Sequence, residues 1–529
     1  MDDPMPLPCL TNIRMNVHQV AGVLLGLMTS TVGLPAAAQP FSAAKMVELL
    51  PVPGILNNSV TNLHAEGDTL WVGPLLNLTT DDGQSWQVAE SDSLQETANR
   101  VFSIDVEGAV VWVGLGYTDP GSGQPSAGGF LVSTDGGRSF TYRFPQLDAP
   151  GDSLLTYGIS SLKALPVIVP QQSPPYDLDY DPVRDELWVA AWASGLRKST
   201  DGGRTWQRVV LPPDNLDAID PAVPYNFRLE PQRGTLGNLN HMGFGVLVDE
   251  TGTVWAGSAG GLNRSTDGGR AWQKFLADGT VNGPLGNWII SLEEQPLPGR
   301  NPVWVANWVG QQANEQFGVT VTRDGGQTFE QMLTGRKVFD FAFRGNTVYV
   351  AGEDGLFISD DDGRTWRSIR SFRDASQPDR AVRPNAEVFS VATTPDALWV
   401  GTGDGLLRST DEGETWRLFR VEVPLNPEQP SGPIPRTETF AYPNPFSANS
   451  DRIVRLRYEL DADRAVEVRI FDFGMNLVRR LDIGPQAAGV RETTWDGTDD
   501  EGLRVANGVY FYEVRTGTAS FRGKLLVIE

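Results

Sequence analysis

The sequence predicts an all-β chain, a seven-bladed β-propeller followed by a small C-terminal β-sandwich, and three observations carry that prediction. An eight-residue pattern, clearest at Ser199-Thr200-Asp201-Gly202-Gly203-Arg204-Thr205-Trp206, occurs seven times. An apolar segment of the type Leu398-Trp399-Val400-Gly401 precedes every copy. After the last copy, a proline-rich stretch gives way to alternation such as Val466-Glu467-Val468-Arg469-Ile470-Phe471, the period of a half-buried strand.

The copies begin at Thr79, Ser133, Ser199, Ser265, Thr322, Ser359 and Ser409, with aspartates at Asp81, Asp135, Asp201, Asp267, Asp324, Asp361 and Asp411. Each position has a mechanical task. The carboxylate accepts bonds from turn amides, glycine permits positive φ, and the closing Trp or Phe restarts a strand with a large buried face. These aspartates are therefore structural, and the motif reads as a self-capping hairpin turn. Only the fourth copy lacks the hydroxyl, with Ala271 where the others have Ser or Thr.

The last repeat shows the grammar of the rest. Residues 387–393 form one apolar strand, 397–402 a second and 405–409 a third, and the motif turns the chain into a fourth over 415–421. The second strand recurs around Trp71, Trp112, Trp188, Trp255, Trp304 and Tyr349. Four short antiparallel strands per unit, with turn signals between them, predict propeller blades. A horseshoe solenoid is the alternative, but stacked repeats want uniform spacing and capping units, so a closed ring is expected. Residues 45–50 are expected to add an outer strand that closes the ring against the last repeat.

The motif resembles the Asp-box, or BNR repeat, of sialidases, sortilin ectodomains, xyloglucan-cleaving hydrolases and a photosystem II assembly factor. That resemblance implies the propeller and is silent on catalysis.

Loops on a rigid scaffold collect function, and the insertions here are expected on one face. Residues 143–175, 211–241 and 278–286 lengthen fourth-to-first connections, and 116–129 and 307–317 lengthen second-to-third ones. Polar residues recur at the expected upper ends of the innermost strands. Asn99 with Arg100, Asn240 with His241, Asn287 with Trp288, and Glu387, joined by Trp192 and Trp308 on nearby loops, form a candidate ligand site of amides and aromatic platforms. That combination suits sugars or extended peptides. The alternative is that Asn terminates strands and Trp packs between blades.

A formal charge of -23 disfavours nucleic acid and anionic membranes by long-range repulsion. The apolar run from Val20 to Leu34, with Arg14 before it and Ala36-x-Ala38 after it, reads as a secretory signal over residues 1–38. Met15 is an alternative start, which makes residues 1–14 an extension. The run is short for a spanning helix, so no membrane span is expected after cleavage. The one cysteine, Cys9, leaves with the signal, and stability must come from packing. A secreted or cell-surface monomer is expected.

The expected boundaries are 39–423 for the propeller, 424–438 for a proline-stiffened linker and 439–529 for the sandwich. In the last, Trp495-Asp496-Gly497-Thr498-Asp499, Gly502 and Ala506-Asn507-Gly508-Val509-Tyr510-Phe511-Tyr512 resemble the immunoglobulin-like domain of flagellar hook-capping proteins. The opening Tyr442-Pro443-Asn444-Pro445, Phe471-Asp472 with Gly474, and Gly523-Lys524-Leu525-Leu526-Val527 resemble type IX secretion sorting domains. These resemblances imply an immunoglobulin-like fold and an address read by the secretion machinery of a Bacteroidota-like bacterium; a passive accessory domain is the alternative.

Catalytic chemistry finds little support. The sialidase resemblance implies an arginine triad, a Tyr/Glu pair and a Phe-Arg-Ile-Pro element before the first motif, and none of that form precedes Thr79. Xyloglucan-cleaving relatives use two propellers, and one is expected here. Three scattered histidines lack metal-ligand spacing, and no phosphate loop or nucleophile elbow is present. Asp177-x-Asp179-x-Asp181 looks like a calcium loop, but Pro182 stands where that loop needs Gly, so a strand ending in an Asp-Pro turn is expected. Asp496, Asp499, Asp500 and Glu501 leave a calcium site or a solvated turn open. The expectation is a non-catalytic exported protein that binds a glycan or protein ligand, with no cofactor, metal or catalytic residue. A glycoside hydrolase is the alternative, since any of 66 acidic residues can supply a carboxylate pair.

Overall fold

The computed structural model describes residues 47–90, 100–231, 237–310, 312–377, 380–421, 437–449, 451–517 and 519–528. The expected signal, and the expected linker up to residue 436, lie outside the described residues. Among the described residues there is no α-helix, and one 3-10 turn, Leu239–His241, interrupts an all-β chain. Two compact units result. The first holds residues up to Arg370 together with Asn385–Glu414, and the second holds Ser371–Pro384 with Thr415–Glu529.

The first unit is a β-propeller. Its sheets are antiparallel meanders in chain order, as in Asp177–Asp181, Glu186–Ala191, Gly195–Ser199 and Gln207–Arg208. The first strands follow one another in a circuit. Leu63–Glu66 lies beside Arg100–Glu107, then come Asp177–Asp181, Gly243–Val248, Trp288–Glu294, Val338–Arg344 and Val388–Thr393, which returns to Leu63–Glu66.

The repeated motif joins third to fourth strands and satisfies its own polar groups. In the first copy the Thr79 hydroxyl donates to Asp81 at 2.9 Å and accepts from the Gly83 N–H at 2.8 Å. Asp81 also accepts from the N–H groups of Gln84 and Ser85 and, at 2.6 Å, from the Ser85 hydroxyl. Its second glycine also serves the neighbouring sheet. A Cβ added to Gly137 would fall 2.0 Å from the Trp71 ring, and one on Gly269 would fall 2.5 Å from Trp188. Both glycines have φ above +80°, so the turn and the packing demand the same residue. Trp112, Trp255 and Trp304 are seated in the same way, against Gly203, Gly326 and Gly363 of the motif in the next sheet.

The first and last sheets meet without exchanging a strand among the described residues. Arg408 pairs with Asp82 at 2.8 Å, Trp86 meets Trp399 edge to face at 6.4 Å, and the Val60 N–H donates to the Thr402 carbonyl at 2.9 Å. The outer strand expected near residues 45–50 is present as Val47–Val52, but its partner differs. It pairs antiparallel with Trp86–Glu90 of the first sheet and, at Val47 and Glu48, with Ser139–Arg143 of the second. Those edges are nearest along the chain, so a short connection reaches them first.

The insertions build structure of their own. The hairpin Leu154–Tyr157 and Ser160–Ala164 pairs in parallel with Arg228–Leu229 from the next insertion, making a separate three-stranded sheet. Asp148 on the same insertion grips Arg197 at 2.5 Å and Arg208 at 3.0 Å, all three side chains being buried.

Within the second unit, Thr439–Tyr442, Val454–Leu460 and Gly489–Trp495 form one sheet, and Leu477–Gln486, Arg464–Phe471, Gly508–Arg515 and Ser520–Val527 form the other. Trp495, Tyr458, Tyr512 and Phe446 fill the space between them. The alternating stretch Val466 to Phe471 lies within the strand Arg464–Phe471, as its period predicts. The fully buried Arg420 side chain pairs with Glu492 at 3.0 Å and donates to the Ala381 carbonyl at 2.6 Å, and the Tyr442 hydroxyl donates to Glu492.

The fourth motif is incomplete: Asp267 accepts from the Ser265 hydroxyl and from the N–H groups of Arg270 and Ala271, but lacks the second hydroxyl that its counterparts receive at 2.6 or 2.7 Å. Ala271→Thr is expected to raise the urea unfolding free energy by about 0.5–1 kcal/mol, read as a higher midpoint at unchanged slope.

Candidate functional site

The innermost strands are bulged at their starts. Their pairing slips between Val101 and Ser103, Gly243 and Gly245, Ile289 and Ser291, Val338 and Asp340, and Val388 and Ser390. The skipped residues are Phe102, Phe244, Ile290, Phe339 and Phe389. A bulge re-aims a side chain, and these five, with Tyr176, line a cavity of about 170 Å³ at the axis of the circuit.

Carboxylates stand next along the same strands. Neighbouring first strands splay apart too far to share a ladder, so their inner N–H groups need other acceptors. Asp177 accepts from the Val246 N–H at 2.9 Å, Asp340 from Val391 at 3.0 Å, Asp105 from Tyr180 at 2.8 Å and Asp179 from Val248 at 3.1 Å. Asp177, Glu293 and Asp340 also line the cavity. Burial pushes these acids up, aided at several of them by the neighbouring carboxylates: Asp177 to about 8, Asp105 and Asp340 to about 7, and Asp179 and Glu293 well above the ordinary range. Backbone N–H groups pull the aspartates the other way without prevailing. Burial lowers His64, on the same wall, to about 4 and keeps it neutral.

None of the described residues that were expected to bind ligand lines this cavity, and most of them are committed to the scaffold. Asn99 lies outside the described residues, and Arg100 is exposed at the start of its strand. The expected platforms Trp192, Trp288 and Trp308 are buried with Phe244 and Phe339 in one apolar cluster; Trp192 meets Trp288 edge to face at 5.9 Å, and the Trp308 indole N–H donates to the Val338 carbonyl. Their faces pack against each other because the insertions close over them, which corrects the open-platform expectation. Asn240 exchanges amide bonds with Asn263 and accepts from Ser258. His241, lowered to about 4 by burial, meets the Leu211 carbonyl through Nε2. Asn287 donates to Glu315 and caps the Ala277 N–H. Glu387 is half-buried, and its carbonyl accepts from Gly403.

Sequence reasoning missed the axial residues, although a signal existed. A large apolar residue followed by Ser, Asp or Gly recurs at Phe102-Ser103, Tyr176-Asp177, Phe244-Gly245, Ile290-Ser291, Phe339-Asp340 and Phe389-Ser390. The calcium-like triplet is a strand, Asp177–Asp181, ending where Asp181 caps the N–H groups of Val183 and Arg184. In the second unit Asp496 and Asp499 cap their own turns. Among the described residues no group of His, Cys, Asp or Glu is arranged to hold a metal ion, and no helix is long and apolar enough to cross a membrane.

Residues 444–520 match the FlgD Ig-like domain family. No curated protein matches the chain. Among solved structures, the chain is similar to YCF48 bound to D1 peptide, at 16% identity and TM-score 0.41 over 72% of this chain and 97% of that one. It is similar to PorZ of the type IX secretion system of Porphyromonas gingivalis, at 15% and 0.35 over 89% and 70%. An ancestral GH74 enzyme aligns at 17% and 0.48 over 91% of this chain, which spans 64% of that enzyme.

The axial acids make stability depend on pH in an unusual direction. Unfolded, they titrate near 3.8; folded, Asp177, Asp105 and Asp340 titrate at about 7 or 8. The folded chain therefore holds more protons, and stability falls as pH rises through the folded values. The lowered His64 and His241 oppose this only below 6.5. Between about pH 6.5 and about pH 8 the Tm is expected to drop by roughly 1–3 °C. Asp177→Asn, which keeps an oxygen for the Val246 N–H, should flatten that slope in a calorimetric series.

Proposed function

We propose that this chain is an exported, non-catalytic, seven-bladed Asp-box propeller that recognises a glycan or protein ligand through its axial cavity. Its immunoglobulin-like module acts as a type IX-like address for the secretion machinery, delivering it to the cell surface or the medium. The cavity carries the reading. An aromatic collar and a set of carboxylates face about 170 Å³, room for one small group of a ligand. A glycosidase needs an acid and a second carboxylate on opposite sides of a sugar ring. Here Asp177 and Asp340 are each bonded to a backbone N–H of the adjacent strand, the posture of a structural acceptor. The FlgD Ig-like match supports the module, and the apolar run from Val20 to Leu34 supports export.

One observation favours a hydrolase as the second reading: Asp177, raised to about 8 by burial, keeps a proton at neutral pH as a general acid must. Incubating the full chain on a glycan and polysaccharide array, with retention and released reducing sugar both measured, separates the two. Retention without release is expected. Release would overturn the non-catalytic reading, and with neither signal the ligand is a protein rather than a glycan.

A further inference from the structure

The axial cavity gathers carboxyl groups that burial holds protonated at neutral pH and that have no counter-charge opposite them, so a cation that binds there would release protons. Asp177, Glu293 and Asp340 line it, and among the described residues no lysine or arginine reaches its wall. The other charges that act on Glu293 are Asp340, Asp177, Asp179 and Asp105, all of its own sign. Unlike the aspartates, Glu293 is not tied to a backbone N–H among the described residues. Buried carboxylates without a counter-charge are costly in the ionised state, so a cation entering here would relieve both desolvation and mutual repulsion.

A second observation, independent of the charge, also points to a ligand. Five aromatic residues, Phe102, Tyr176, Phe244, Phe339 and Phe389, share the remaining wall with polar and aliphatic ones such as Asn62, Ser291 and Ile290, and an aromatic ring attracts a cation that lies over its face within about 6 Å of its centre. Size narrows the choice: a cavity of about 150 Å³ holds one benzene-sized molecule, slightly less than the volume here. The same carboxylates repel an anionic ligand, and their arrangement does not converge on a bare metal ion.

We infer that the axial cavity binds an alkylammonium group, its carbons against the aromatic collar and its charge balanced by Asp177, Glu293 and Asp340. The inference rests on the cavity being the recognition site and names the chemistry it recognises.

Isothermal titration of the full chain at neutral pH tests it, with choline chloride, n-butylammonium chloride and the neutral isostere of choline in which a tert-butyl group replaces trimethylammonium, each against matched sodium chloride. One equivalent of at least one cation should bind, with the neutral isostere about tenfold weaker or worse. Glu293→Gln should weaken the cation by about tenfold while its Tm holds or rises. Choline above butylammonium assigns a quaternary headgroup, and the reverse assigns a lysine-like one. Equal binding of choline and its neutral isostere, or no heat from either cation up to about 10 mM in a chain that melts cooperatively, overturns the inference. Ligand retention on the array that ignores both saturating choline and Glu293→Gln removes the alkylammonium assignment and leaves the recognition reading standing.

Discussion

A tryptophan that needs a glycine opposite it joins each of five sheets of the propeller to the next. Trp71, Trp188 and Trp304 are almost fully buried, and each lies where a side chain on Gly137, Gly269 or Gly363 would have to stand. The aromatic ring gives the wedge between sheets its thickness, and the left-handed glycine lets the motif approach it. With the sheets held apart at that angle, their first strands converge on an axis without joining into one ladder. The inner N–H groups then need acceptors, and Asp105, Asp177, Asp179 and Asp340 supply them. The charge at the axis is therefore a product of how the blades pack.

This order of causes explains what could be read from the sequence. The motif was legible because all its bonds are local, closing within the eight residues that define it. The strands were legible because alternation and second-strand aromatics depend on neighbours in the chain. The axial wall is contributed by segments far apart in sequence, and a bulge changes which residue faces inward without changing composition. Expectation therefore stopped at Asn287, Trp288 and Glu387, a few residues short of Ile290, Glu293 and Phe389. Asn240 and Trp192 do not line the cavity, and hydrogen bonds and ring packing commit both to the scaffold. The strand Val47–Val52 makes the same point: its alternation declares a strand, and nothing in it declares which edge it will meet.

The second unit shows a different kind of hidden information. Prolines at 424–435 mark a change in composition, whereas the compact unit is marked by buried charge. Arg420 and Glu492 lie on opposite sides of that stretch in sequence and pair inside the same unit, with Ala381 accepting from Arg420 as well. Removing either partner would leave the other buried without its counter-charge, a change that typically costs about 3–5 kcal/mol. The contact depends on all three segments, so no single stretch of sequence reveals it.

The circuit of sheets has one junction where the chain does not run from one member to the next, clasped by Arg408 with Asp82, Trp86 with Trp399, and the Val60 to Thr402 backbone bond. Elsewhere a separation between sheets is opposed by the connecting peptide; at this junction only non-covalent contacts resist. A separation there breaks only these contacts, as at the gap of a split collar. Asn62 and His64 stand on one side of the split and Phe389 and Ser390 on the other, all four in the cavity wall. The compartment at the axis thus has the seam of the ring running through it, and amide exchange along Leu63–Glu66 and Val388–Thr393 measures whether that seam parts.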